Sequence, residues 1–155
     1  FLPDEKRLTR YGKFLRSTSL DELPELINIV KGEMSIVGPR PQLVRDMVFM
    51  TEQQRMRQSV RPGLTGLAQV NGRNNVTWEN KFRFDLKYVE NITFIQDLKV
   101  VFKTLVKVFK RDGINEEGKT TAEDLGDYLL HSGAIFQIEY DDKQIQVNEF
   151  LKVKK

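Results

Sequence analysis

From Phe94 to Arg111 the chain places Ile95, Leu98, Val101, Phe102, Leu105, Val108 and Phe109 at i, i+3, i+4 spacing. That is the period of an α-helix with one apolar stripe. Lys99, Lys103 and Lys107 form a second stripe, four residues apart. Any fold that contains this helix must cover the apolar stripe with a core or offer it to another apolar phase. Two readings follow. The helix faces a core and its lysines are solvated, or it lies on an anionic leaflet with the lysines toward the headgroups.

Charge divides along the chain. Lys99 to Arg111 carries five positive residues and no acid, whereas Glu123 to Glu149 carries seven acids against one Lys. The two stretches prefer different surroundings. At 155 residues, 39% hydrophobic and 30% charged, the chain has the composition of a folded protein with a real core. It has no cysteine and one histidine, His131. Thiol chemistry and disulfides are excluded, and a His-rich zinc site is not expected. A bound metal should be a hard ion held by oxygen. No run of 18 apolar residues is present to span a bilayer, and no signal peptide is visible. The chain begins at Phe1, as expected of a fragment or a processed product.

Periodicity predicts a short basic helix over Arg7–Leu15 and a longer one over Asp21–Lys31, with Gly32 as its C-cap. Further helices are expected over Leu43–Gln58, Thr77–Val89 and Phe94–Lys110. Another should cover Thr121–His131, with its N-cap at Thr120 or Thr121. The stretch Gly63–Arg73, GLTGLAQVNGR, reads as a loop around a short strand. At the C-terminus, Phe136–Tyr140 and Ile145–Asn148 alternate apolar and polar residues on either side of DDK, which predicts a β-hairpin. The expected fold class is α+β, mainly helical, with short strands and long Gly/Pro/Arg loops. Two parts are expected, a main region over 1–122 and a C-terminal helix and hairpin over 123–155.

The stretch SLDELPEL, Ser19 to Leu26, admits two uses. Ser19 and Glu22 match the capping box S-x-x-E. Pro24 disturbs that register, because a fifth helical residue needs an N–H for the helix ladder. With Asp21 as N-cap, Pro24 falls at the third position, where no intrahelical partner is lost. A carboxylate at that end is held ionised by the helix dipole, and the same end attracts phosphate. Arginines mark the loops nearby: Arg16 before the stretch, Arg40 between two prolines, Arg61 before Pro62, and Arg73 at the end of VNGR. Arginine grips phosphate in a bidentate manner. Composition does not separate a nucleotide from RNA, and each arginine alone reads as an ordinary surface residue.

Three motifs, taken in order, carry a resemblance. RSTSLDELPELINIVKGEMSIVGPRP, VRPGLTGLAQVNGR and FDLKYVENITFIQDLKVVFKTLVKVFKR resemble the bacterial sugar transferases, the monotopic polyprenyl-phosphate phosphoglycosyl transferases. The resemblance runs from about Asp4 to Thr121. It implies transfer of a sugar-1-phosphate from a UDP-sugar to polyprenyl (undecaprenyl) phosphate with release of UMP. It implies Asp21 as nucleophile and Glu22 as its partner, with Mg²⁺ beside the dyad. Arg16, Arg40 and Arg73 would hold phosphate or nucleotide. Arg61, Gln69, Asn71 and Asp85 match motif positions, with Asn71 open to a turn role and Asp85 to a structural ion pair. The expected setting is the cytoplasmic face of a bacterial inner membrane, with contact through Phe94–Arg111 and no nucleic-acid partner. The resemblance further implies a re-entrant membrane helix and a basic stretch of the type KFRTM ahead of this region. Neither lies within the sequence. The residues after Leu125 have no counterpart in the resemblance and are expected to form a packing hairpin, a homodimer contact or a partner site. The competing reading is a non-enzymatic basic module, for a membrane surface or nucleic acid, in which the dyad only caps a helix. A UDP-sugar-binding fragment without turnover is a further alternative.

Overall fold

The computed structural model describes residues 9–12, 22–72, 76–110 and 123–153. In chain order its elements are α1 (Glu25–Val30), β1 (Ser35–Val37), α2 (Val44–Met47), α3 (Glu52–Arg55), a 3₁₀ turn (Met56–Ser59), β2 (Gly63–Thr65) and α4 (Leu67–Gly72). They are followed by α5 (Trp78–Glu90), α6 (Phe94–Phe109), α7 (Leu125–His131) and α8 (Gln137–Val153). The fold is α+β and mainly helical, as the sequence predicts, and among the described residues the strands form one two-stranded parallel sheet. The chain divides into two compact units. The second joins Gln42–Arg55 to the segment after residue 121, and the first holds the remainder.

In the first unit, β1 and β2 run parallel, with Ser35 opposite Gly63 and Val37 opposite Thr65. The pair continues past the strand ends. Gly38 N–H donates to the Thr65 carbonyl at 2.9 Å and Gly63 N–H to the Pro39 carbonyl at 3.0 Å. The backbones approach so closely that a Cβ on Gly63 would stand 2.1 Å from the Gly38 nitrogen, so only glycine fits. Val37, Val70, Tyr88 and Val100 form the core cluster, with Leu67 and Val101 packed against it. Thr77 caps α5 by accepting the Asn80 N–H, and Thr93 caps α6 by accepting the Gln96 N–H at 3.2 Å. Both helices begin where the sequence places them.

Helix α6 meets the core with a narrow face. Val100 is buried and Val101 half-buried, and the Thr104 hydroxyl lies 2.7 Å from that of Thr65. Ile95, Leu98, Phe102, Leu105, Val108 and Phe109 are exposed. Most of the apolar stripe therefore lies outside the core. No helix among the described residues is long and apolar enough to cross a membrane.

Helix α1 is shorter than expected. It starts at Glu25, with Pro24 as N-cap in helical conformation (φ −59°, ψ −26°) and no side-chain cap. Its missing N–H falls where the ladder needs none. Ser19 and Asp21 lie outside the described residues, as does most of the predicted Arg7–Leu15 helix. Gly32 follows α1 with φ +77°, the left-handed turn expected of a glycine just past a helix end.

In the second unit the predicted Leu43–Gln58 helix is interrupted. Thr51 and Gln54 exchange hydrogen bonds, Gln54 N–H to Thr51 Oγ1 at 3.2 Å and Thr51 N–H to Gln54 Oε1 at 2.9 Å. The first helix has already ended at Met47, and this reciprocal box starts a new one at Glu52. Helix α7 begins after Asp124, three to four residues later than predicted. The Asp124 carboxylate is gripped by Arg45 at 2.8 Å.

The C-terminal hairpin is not formed. Phe136–Tyr140 precedes and enters α8, and Ile145–Asn148 lies within it. The apolar members of the alternation, Phe136, Ile138 and Ile145, are exposed. The helix instead turns Tyr140 and Val147, seven residues apart, inward. Tyr140 stacks on Phe49 at 5.6 Å between ring centroids and donates to Asp127 at 2.6 Å. Pairs at i, i+4, Gln137 with Asp141 and Glu139 with Lys143, support the outer face. DDK lacks the left-handed residues of a tight hairpin turn, and two alternating fragments of five and four residues are too short to outweigh these contacts.

Candidate functional site

The GPRP turn carries Arg40 directly after β1, where the parallel pairing with β2 fixes its start. With proline on both sides, Arg40 has little backbone freedom. Its Nη1 lies 3.1 Å from Oε1 of Glu22, three residues before α1. Two sequence motifs 18 residues apart thus meet in one ion pair. The pair is open to solvent, with 49% of the Arg40 side chain and 34% of the Glu22 side chain exposed. A charge pair at that exposure is screened and stabilises the fold little, and both groups are accessible to a ligand.

Asp21, the expected nucleophile, lies outside the described residues, as do Arg16 and Arg73. The other candidates fall at different depths. Arg61 is exposed, and its Nη1 is 3.9 Å from where a Cβ on Gly32 would stand. It therefore lies by the C-terminal turn of α1, the opposite end from Glu22. Asn71 is exposed and its Nδ2 donates to the Leu67 carbonyl at 2.7 Å, within its own helix. Gln69 differs. Its amide oxygen and nitrogen are both buried without a hydrogen-bond partner, and the oxygen lies 2.6 Å from where a Cβ on Gly66 would stand. An unsatisfied buried amide of this kind costs about 1–3 kcal/mol.

Asp85 is buried, at 3% exposure. Its Oδ2 accepts from Arg57 Nε at 2.8 Å and lies 2.7 Å from Arg57 Nη2. Burial pushes the Asp85 carboxyl above its usual range, and the Arg57 guanidinium draws it back. Asp85 thus occupies a buried ion pair rather than an open subsite. Its partner, Arg57, was not among the residues singled out from the sequence. A signal for it existed. Trp78, Phe82, Asp85 and Tyr88 share the buried face of α5, and a carboxylate among buried aromatics requires a cation. Nothing in the spacing says that the cation comes from 28 residues upstream.

Among the described residues no group of three or more His, Cys, Asp or Glu side chains is gathered as a metal cage. Mg²⁺ does not need one. It commonly takes one or two carboxylates and completes its shell with water and substrate phosphates.

Comparison with known proteins gives the family. Residues 2–111 match the model of the bacterial sugar transferases. The chain is 49% identical over 122 residues to the uncharacterized sugar transferase EpsL of Bacillus subtilis, covering 79% of this chain and 60% of that protein. It is 44% identical over 112 residues to the undecaprenyl-phosphate galactose phosphotransferase of Salmonella typhimurium, covering 72% of this chain and 24% of that one. Over 111 residues it is 44% identical to the UDP-glucose:undecaprenyl-phosphate glucose-1-phosphate transferase of Klebsiella pneumoniae, covering 66% of this chain and 24% of that enzyme. The chain therefore spans three fifths of one of these relatives and about a quarter of the other two. The motifs and these matches agree: the chain belongs to the bacterial sugar transferase family.

Proposed function

We propose that this chain is the catalytic region of an enzyme that transfers a sugar-1-phosphate from a UDP-sugar to undecaprenyl phosphate. The observation that carries the reading is the Glu22–Arg40 ion pair at 3.1 Å. It joins the acidic dyad to the arginine turn within a chain of this family. Relatives named for undecaprenyl-phosphate sugar transfer support the substrate class.

In this mechanism an Asp21 carboxylate oxygen attacks the sugar-bearing phosphorus. A new P–O bond forms to Asp21 as the bond to the bridging oxygen breaks, and UMP leaves with that oxygen. An oxygen of the lipid phosphate then attacks the same phosphorus and frees Asp21, giving a lipid diphosphosugar. The division into two displacements is covalent catalysis by a carboxylate. An anion attacking an anion meets repulsion, which Arg40, with Arg16 and Arg73, would offset by neutralising the phosphates. Asp21 and Glu22 would hold Mg²⁺, Glu22 keeping one oxygen outside its pair with Arg40. The ion would supply Lewis-acid stabilisation of the phosphate charge. The exposed apolar stripe of α6, flanked by Lys99, Lys103 and Lys107, would lie on the inner leaflet at the cytoplasmic face, where the lipid acceptor is found.

The test is UMP release by the full chain in membranes, given UDP-sugar, undecaprenyl phosphate and Mg²⁺. Asp21→Asn should abolish it. Turnover by Asp21→Asn equal to that of the unaltered protein would exclude the covalent route.

A further inference from the structure

We infer that Arg57, held by Asp85, is a positioning residue that sets Arg40 against Glu22; the inference rests on the function proposed above. Pro39 and Pro41 leave the Arg40 turn without their two N–H donors, so the turn is tied down largely through its carbonyls. The Pro39 carbonyl accepts the Gly63 N–H at 3.0 Å. The Arg40 carbonyl accepts from Arg57 Nη2 at 2.7 Å. Arg57 is buried, at 4% exposure, and its Nε is fixed on Asp85. The order of dependence is therefore Asp85, Arg57, the Arg40 carbonyl, the Arg40 guanidinium, Glu22.

The two ion pairs differ in kind. The Glu22–Arg40 pair is exposed and screened, and cannot hold its own geometry. The Arg57–Asp85 pair is dry. A dry pair is no argument for stability by itself, since apolar residues of equal volume often serve as well. An apolar pair would lose the third bond, to the Arg40 carbonyl. That bond is the use the geometry gives to the pair. It also spans the two points at which the chain leaves the first unit, after Pro41, and returns to it, at Met56. Lysine at position 57 would keep the charge opposite Asp85 but lose the fork that reaches two acceptors at once.

A double-mutant cycle in the full chain, read by UMP release, tests this. Arg57→Lys is expected to lower turnover by roughly 10- to 100-fold, the scale of a misplaced substrate-gripping group. In an Arg40→Ala background the same change is expected to cost less than about threefold, because the guanidinium that it positions is gone while the carbonyl remains. Equal cost in both backgrounds would overturn the inference and leave Arg57 a purely structural residue. A second readout needs no substrate. Amide exchange at Gly63, whose N–H holds the Pro39 carbonyl, should quicken about tenfold in Arg57→Lys, while exchange within α6 stays unchanged. Unchanged exchange at Gly63 would refute the anchoring even if turnover fell. If the unaltered protein releases no UMP, the proposed function fails, and exchange still decides the anchoring.

Discussion

Gly126 lies against the ring of Phe49. A Cβ on Gly126 would stand 2.6 Å from the Phe49 Cε2 atom, and both residues are buried. The first turn of α7 can pack on that ring only because position 126 carries no side chain. Gly126→Ala should therefore destabilise the second unit by about 1–3 kcal/mol, the usual cost of overpacking. That loss would stand against the gain in helix propensity of Ala over Gly. Thermal or denaturant unfolding followed through Tyr140, which packs on the same ring, gives the value. A stabilised variant would mean that the ring moves freely.

Asp46 is buried beside that contact and accepts the Leu125 N–H at 2.9 Å. Burial pushes its carboxyl above the usual range, Asp124 adds to the rise, and the Leu125 N–H and Arg45 oppose it. A raised folded value means that the group favours the fold fully below its unfolded pKa. That favour is lost as pH rises through the raised value. Asp46→Asn keeps an acceptor for Leu125 and removes the buried charge. It should match or exceed the parent in stability at neutral pH and lose this part of the pH dependence. Asp46→Ala leaves the Leu125 N–H unsatisfied and should cost about 1–3 kcal/mol. Unfolding midpoints of the three proteins between acid and neutral pH decide it.

Tyr88 joins three elements of the first unit. Its hydroxyl lies 2.9 Å from Asp97 on α6 and 3.2 Å from the Val37 carbonyl on β1. Burial and the Asp97 hydrogen bond raise its pKa far above the ordinary phenol value, so the phenol stays protonated and donating through the neutral range. Tyr88→Phe should cost about 1.5–3 kcal/mol, the net worth of a hydrogen bond to a charged acceptor. Denaturant midpoints measure this, and no loss would show that Asp97 finds other donors.

The apolar stripe of α6 predicts partition onto anionic vesicles. At roughly 1 kcal/mol for each Lys near such a surface, changing Lys99, Lys103 and Lys107 to Gln should weaken binding about a hundredfold. Vesicle sedimentation at low and raised salt checks it. Binding that ignores both charge and salt would show that the lysines do not face the leaflet, and no binding at all would refute the membrane reading of the stripe.

Elements with internal signals were legible in the sequence. Helices α5 and α6 have threonine caps and long apolar periods, and both lie within a residue or so of the expected limits. The α1 C-terminus was legible through Gly32, since few other residues turn there. The hairpin failed for a physical reason. Alternation over five and four residues is weak evidence, and the partner that organises α8, Phe49, stands about 90 positions earlier in the chain. The break at Thr51 was present as a T-x-x-Q box, but the apolar residues around it masked it. At the candidate site, the meeting of Glu22 with Arg40 is foreshadowed by their motifs. Burial of Asp85 on the Trp78 face of α5 was readable as well. The identity of its cation was not, because an ion pair across 28 residues leaves no trace in either local pattern.

The second unit combines stretches of different reach in the family. Its Gln42–Arg55 part lies within the matched residues, whereas the chain beyond 121 lies past the match at 2–111. The platform around Phe49 thus belongs to the shared region, and α7 and α8 are the local means of covering it. Shortening this chain from its C-terminal end would unroof the shared region rather than trim a tail.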